Sequence, residues 1–224
     1  MNSSSFFGKI LLFGEYGIIK DSKGISIPFN LYSGCLNIET SVNEKIKLSN
    51  QQIKSFYDFL KSKFDNDEFN FKTFKSDINN GLYFKSSIPI GYGVGSSGAL
   101  VAAIYDKYFL NKIKREKKID VEKIIILKNI FSKMESFFHG ESSGLDPINS
   151  YLSTPILISS KKEIVTTTIP KQMKNGNQGF FLVDSRESSN TGILVDKFLE
   201  SIQDNYFEKL FKNEFVEYTN SCVD

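Results

Sequence analysis

Between Pro89 and Ala99 the chain reads Pro-Ile-Gly-Tyr-Gly-Val-Gly-Ser-Ser-Gly-Ala, a run of glycines directly before a segment of small and apolar residues without a breaker, Ala99 to Leu110. If that segment is a helix, its first amides lack intrahelical partners. Glycines let those amides approach an anion, and the positive end of the helix dipole favours negative charge. The hydroxyls of Ser96 and Ser97 add donors, or a metal ligand. The chemistry suggested is a grip on phosphate, set against the plainer role of a glycine turn with serine as a helix cap.

A second group lies downstream. Glu135 and Asp146 stand eleven positions apart, with His139-Gly140-Glu141-Ser142-Ser143-Gly144-Leu145 in the interval. Two carboxylates flanking a hydroxyl-rich loop can divide a phosphoryl transfer, one holding magnesium and the other facing an acceptor hydroxyl. Asp146 before Pro147 also fits an ordinary turn. His139 is the sole histidine and has no second metal-type partner nearby in sequence, so it reads as structural.

Two common nucleotide motifs fit poorly. Gly93-x-Gly95-x-x-Gly98 satisfies the dinucleotide pattern, but the acidic residue expected about 20 positions later falls in the lysine-rich run near Lys117. No Gly-Lys-Ser/Thr follows the glycines, so a P-loop is not supported.

Positioning these groups requires a scaffold. Lys9 to Ile19 reads as a buried strand turning into a second extended segment, and Ser26 to Thr40 continues extended. Lys54 to Phe64 has a helical period, Leu82 to Ile90 reads as a strand, and Val121 to Phe138 as a helix, followed by a Ser/Gly-rich loop to Pro147. Short strands are expected at Pro155 to Ser159, Ile164 to Ile169 and Phe180 to Val183, with a helix near Ile193 to Gln203. Strands and helices without regular alternation argue for an α+β fold.

The bulk numbers fit a folded protein: 224 residues, 40% hydrophobic, 24% charged and net charge +2. That balance demands neither nucleic acid nor an anionic membrane, and the basic run Lys112 to Lys118 reads as a solvated connection. Cys35 and Cys222 form no CxxC pair, there is no signal-peptide pattern, and no apolar run approaches the roughly 18 residues of a membrane span. A cytoplasmic protein is expected.

Three separated segments together resemble the GHMP kinases, the superfamily of galactokinase, homoserine kinase, mevalonate kinase and phosphomevalonate kinase. Gly8-Lys9-Ile10-Leu11-Leu12-Phe13-Gly14-Glu15-Tyr16-Gly17 resembles their first motif. Pro89 to Ala99 resembles their phosphate loop, P-x-G-x-G-L-G-S-S-A, with Val94 for the usual Leu and Gly98 for the usual Ala. Glu135 to Asp146 resembles the mevalonate kinase form of the catalytic segment, E-x-x-x-H-G-x-x-S-G-x-D.

The resemblance implies an N-terminal domain like the second domain of ribosomal protein S5 over residues 1–165, binding ATP and substrate, and the beginning of a ferredoxin-like C-terminal domain over 166–224. It implies ATP and Mg2+ as cofactors and phosphorylation of a small-molecule hydroxyl, foremost mevalonate to 5-phosphomevalonate in isoprenoid precursor synthesis. By the same resemblance Asp146 is the general base, Lys9 lies beside it, and Ser97 and Glu135 are the magnesium ligands. Gly91, Gly93, Gly95, Ser96, Ser97 and Gly98 cradle the ATP phosphates. Glu15, Tyr16, His139, Ser143 and Thr191 fall on the substrate side, and a homodimer is the expected assembly.

Two departures leave alternatives open. Tyr16 stands where mevalonate kinases usually carry His, in a Gly-Glu-Tyr sequence closer to phosphomevalonate kinases, and Ser189 stands where an Arg usually precedes the threonine at 191. Nothing after Val183 resembles the family's third glycine-rich motif, which keeps open a shortened nucleotide- or metabolite-binding protein without turnover.

Overall fold

The computed structural model describes residues 4–40, 43–116, 119–160, 163–168, 182–184, 186–188 and 191–224. Its centre is an antiparallel sheet organised by one long strand. β1 (Phe6–Phe13) pairs with β2 (Gly24–Ile38) along one edge of β2. The opposite edge of β2 is shared by β3 (Leu82–Ser86), opposite Gly34 to Ile38, and β4 (Ile156–Ser160), opposite Gly24 to Ser26. β5 (Glu163–Thr166) pairs with β4 and completes the sheet.

Helices cover the sheet in the order α1 (Glu44–Lys61), α2 (Phe71–Asn79), α3 (Ser96–Tyr108), α4 (Val121–His139) and α5 (Leu145–Leu152). α1 starts where Asn43 accepts the Ile46 amide at 2.9 Å, and α2 where Asn70 accepts that of Thr73 at 3.0 Å. α3 is apolar nearly all round, with Gly98 to Tyr105 continuously buried, so it runs through the middle of the domain and packs on β1, β2 and α5. After β5 come α6 (Thr191–Ser201), α7 (Asn205–Leu210), a π-helical turn Phe211–Val216 and α8 (Glu217–Val223).

Aromatic rings fill much of the core. Phe74 stacks on Tyr108 at 4.1 Å between centroids, while Tyr105 meets Tyr151 and Phe131 edge-on at 5.1 and 4.9 Å. Their hydroxyls have partners: Tyr108 donates to Asp77 at 2.8 Å, Tyr151 donates to the Ile113 carbonyl at 2.7 Å, and Tyr105 accepts from the Ile113 amide at 2.9 Å. The Ile113 bonds fasten the basic run to the domain. Lys112 and Arg115 from that run both pair with Asp106, and the Arg115 guanidinium lies over the rings of Phe6 and Tyr151.

The structure departs from the sequence expectations in identifiable places. The first strand ends at Phe13, and the expected second extended segment is a turn leading into a 3₁₀ helix, Gly17–Lys20. The strand expected to Ile90 stops at Ser86: the ladder with β2 ends at Gly34↔Ser86, and beyond it the Ser33 amide donates to the Ser87 hydroxyl at 3.0 Å instead of to a strand carbonyl. α1 begins at Glu44 rather than Lys54, where polar residues mask the period. The loop expected up to Pro147 is already helical from Leu145, since Pro is tolerated in a first turn where its missing N–H has no partner to lose. The strand expected at Phe180 to Val183 falls partly outside the described residues, and Leu182 and Val183 are exposed and in no strand.

Phe131 is fully buried among these rings. Phe131→Ala is therefore expected to lower the unfolding free energy by about 3–5 kcal/mol, measured by urea denaturation. A loss under about 1 kcal/mol would show that this core is not the one described.

Candidate functional site: an ion pair beside a glycine loop

β1 carries Lys9 under the glycine loop. The Lys9 amide donates to the Val94 carbonyl at 3.0 Å, anchoring the loop to the strand edge. Gly95 then turns the chain into α3 with φ at +79°, and a Cβ there would lie 2.8 Å from Lys9 Cγ. Only glycine allows both the left-handed conformation and the close passage of the lysine. Ser96 and Ser97 open α3, with Gly91 and Gly93 in the preceding turn, so the phosphate-type residues stand together at a helix N-terminus.

α5 presents Asp146 from its first turn. Its carboxylate lies 3.2 Å from Lys9 Nζ, with the lysine side chain 12% exposed and the aspartate 38%. The lysine is thus held within the protein while the carboxylate opens to solvent. Close helix packing makes this possible: a Cβ on Gly98 would sit 2.8 Å from the Asp146 carbonyl carbon and 2.9 Å from the Pro147 nitrogen. The glycine in place of alanine at position 98 lets α3 and α5 meet there.

α4 supplies the second carboxylate from its last turns. Glu135 is 3% exposed and accepts hydrogen bonds from Ser97 Oγ at 3.2 Å and Ser142 Oγ at 2.5 Å. Burial, reinforced by the negative charge of Asp146, pushes its carboxyl up to about 8 against the two hydroxyl donors and Lys9. For Lys9, burial opposes the charged form, but the charge and hydrogen bond of Asp146, with Glu15 and Glu135 behind them, outweigh it and raise its pKa. The ammonium therefore stays charged near neutral pH.

The remaining expected residues fall in four places. His139 is exposed at the end of α4, with Nε2 3.1 Å from Ser97 Oγ, so it joins the Ser97 and Glu135 cluster. Ser143 is exposed beside Asp146 in sequence, its hydroxyl accepting from the Leu145 amide at 3.4 Å. Glu15 and Tyr16 lie in the turn after β1, and the charge of Glu15 reaches Lys9. Thr191 begins α6.

Tyr16 has φ +55° and ψ −33°, outside the regions ordinary residues prefer, a state that costs about 1–3 kcal/mol unless its surroundings impose it. Its ring stacks on Phe198 of α6 at 5.2 Å. Sequence reading gave no role to Ser142 or Phe198. Ser142 had a local signal as one of two hydroxyls between the carboxylates. Phe198 had none, because only folding brings it to Tyr16.

Ser97 Oγ and Glu135 offer a hydroxyl and a carboxylate within one hydrogen bond of each other. These are hard oxygen donors of the kind Mg2+ takes when it binds through few side chains and completes its shell with water and phosphate oxygens. No cluster of three or more His, Cys, Asp or Glu residues suited to a metal occurs among the described residues. The pair thus fits a magnesium shared with a phosphate ligand better than a closed protein cage. No helix of the described residues is long and apolar enough to cross a membrane.

Comparison with known proteins bears on this arrangement. Residues 52–153 match the model of the GHMP kinases N terminal domain, spanning the glycine loop, Glu135 and Asp146. No curated protein matches the chain at the sequence level. Among solved structures, the chain is similar to L. major mevalonate kinase in complex with R-mevalonate, with TM-score 0.55 and 16% identity over 100% of this chain and 69% of that one. It is also similar to Methanococcus jannaschii mevalonate kinase, with TM-score 0.52 and 14% identity over 99% and 72% of the two chains. At these identities the structural likeness is one of fold, and it agrees with the family match over the segment that carries the glycine loop and both carboxylates. The chain has a mevalonate kinase-like fold, and its residues 52–153 carry the GHMP kinases N terminal domain.

Proposed function

We propose that this chain phosphorylates a hydroxyl of a small molecule at the expense of ATP, with mevalonate as acceptor and 5-phosphomevalonate as product. The observation that carries the reading is the Lys9 and Asp146 ion pair set beside the glycine loop, with the carboxylate open to solvent and the ammonium buried behind it. The L. major enzyme of similar fold holds R-mevalonate, which supports the choice of acceptor.

The residues divide the work. Asp146 accepts the proton of the acceptor hydroxyl as its oxygen bonds the γ-phosphorus and the bond from that phosphorus to the β,γ-bridging oxygen breaks, releasing ADP. Lys9 fixes the Asp146 carboxylate and offsets the negative charge gathered there. The loop amides from Gly91 to Gly98 and the hydroxyls of Ser96 and Ser97 hold the phosphates at the positive end of α3. Ser97 and Glu135 would hold Mg2+, which when bound neutralises phosphate charge. Catalysis in this scheme is positioning and electrostatics, with no covalent intermediate on the protein.

Tyr16 favours a second acceptor, phosphomevalonate, because its Gly-Glu-Tyr sequence resembles the first motif of phosphomevalonate kinases more than that of mevalonate kinases. Mevalonate is preferred, since the segment from Glu135 to Asp146, where the ion pair and the buried carboxylate meet, has the mevalonate kinase spacing.

The direct test measures ADP formation with Mg2+, ATP and a panel of mevalonate, phosphomevalonate, homoserine and galactose. Turnover with mevalonate and not with the others is expected. Asp146→Asn is expected to lower kcat by at least about 10²-fold while leaving ATP binding by calorimetry unchanged. Near-normal turnover in that variant overturns the assignment of the base, and ATP binding without turnover on any acceptor favours a non-catalytic binding protein.

The raised Glu135 carboxyl makes a separate prediction. Below about pH 4.5 the carboxyl is protonated both folded and unfolded; between there and about 8 the unfolded chain ionises first, so metal-free stability falls as pH rises through this window. In EDTA, Glu135→Gln should melt increasingly above the wild type as pH is taken from 5 to 8.5. Mg2+ should stabilise the wild type and not the variant. A pH-independent difference in melting temperature contradicts the buried, shifted carboxyl.

A further inference from the structure

Most of the candidate site is built by β1 and α3 to α5, but the turn that carries Glu15 and Tyr16 is gripped by helices far away in sequence. Tyr16 stacks on Phe198, its ring 26° from parallel, and Phe198 is itself buried with Ile202 and Phe211 in a cluster that also takes in Ile19. A Cβ on Gly17 would lie 3.1 Å from the Phe215 ring, so the π-helical turn presses directly on the backbone there. At the far end of the same segment, the Lys23 amide donates to Asn220 Oδ1 at 2.8 Å, and Lys23 Nζ pairs with Asp224. Tyr16, in its unfavourable backbone conformation, is therefore held from outside its own loop.

The nucleotide side is held differently. Ser97, Glu135, Ser142 and His139 are bonded to one another, and Lys9 fixes the loop through Val94. From the C-terminal side, Ser188 lies close to the glycine loop, where it would meet a Cβ on Gly91 at 3.1 Å.

From this division we infer that Phe198 and Asn220 are positioning residues that hold the Glu15 and Tyr16 turn at the end of the strand that carries Lys9 and so set affinity for the acceptor alcohol rather than for ATP. The inference rests on the kinase reading above. Phe198 acts through Tyr16, by fixing its ring and backbone. Asn220 acts through Lys23, at the strand entry that closes the turn.

The test combines steady-state kinetics with hydrogen exchange on the full chain. Phe198→Ala is expected to raise the acceptor KM about tenfold, and Asn220→Ala about threefold to fivefold, with the ATP KM changed less than about twofold. Phe198→Tyr keeps a ring to stack, and Asn220→Asp keeps an acceptor for the Lys23 amide. Both should return the acceptor KM to near the wild-type value. Amides from Tyr16 to Ser22 should exchange at least about tenfold faster in the alanine variants, while those of α3 stay unchanged. Asn220→Ala removes a single hydrogen bond and keeps the test available where Phe198→Ala unfolds. An unchanged acceptor KM, or equal rises in both KM values, in an active enzyme overturns the positioning role and leaves the kinase reading intact. Absence of turnover in the wild type with every acceptor overturns the kinase reading and the acceptor role together.

Discussion

The structure depends on a lysine from a strand reaching a carboxylate on a helix whose own place is set by glycine. A buried ammonium is costly unless it is paired, and Lys9 has Asp146 at 3.2 Å to pair with. To make that contact, α5 has to approach β1 and α3 closely, and Gly98 leaves the space. The glycine loop is tied to the same lysine through its backbone, so a single strand residue fixes both the phosphate-type loop and the solvent-facing carboxylate. Replacing either side chain of the pair would leave the other uncompensated, while the backbone bond from Lys9 to Val94 would still hold the glycine loop.

The two carboxylates are placed in contrasting surroundings, and that contrast gives them different chemistry. Asp146 is partly exposed and held by an ammonium, which suits a carboxylate that faces an incoming hydroxyl. Glu135 is enclosed, bonded to two serine hydroxyls and pushed toward the protonated form, which suits a group that ionises when a cation arrives. The aromatic core beneath keeps these positions fixed: Tyr151 on α5 and Tyr105 on α3 are locked edge-on and bonded through Ile113.

Much of this was legible in the sequence wherever chemistry and local pattern coincide. The glycines and serines before an unbroken apolar run announced the α3 N-terminus. The spacing from Glu135 to Asp146 marked two carboxylates with a hydroxyl-bearing connection. What stayed hidden has both local and long-range causes. The helix from Leu145 was obscured because Ser, Gly and Pro read as loop residues, although Pro147 falls in a first turn where it does no harm. α2 has its apolar positions at Phe71, Phe74 and Ile78, too short a run to stand out from the aromatic-rich background. The stack of Phe198 on Tyr16 joins residues whose separation no local period can encode, and the conformation of Tyr16 makes sense only with it in place.

The most direct test of the account is to follow the γ-phosphoryl group itself. Phosphorus NMR of a reaction containing the protein, Mg2+, ATP and mevalonate resolves inorganic phosphate from a phosphate ester. The account predicts that ATP is converted to ADP with a matching amount of monoester on the acceptor's primary hydroxyl. Loss of ATP to inorganic phosphate with no ester, or unchanged ATP in the presence of every hydroxyl acceptor, would contradict it.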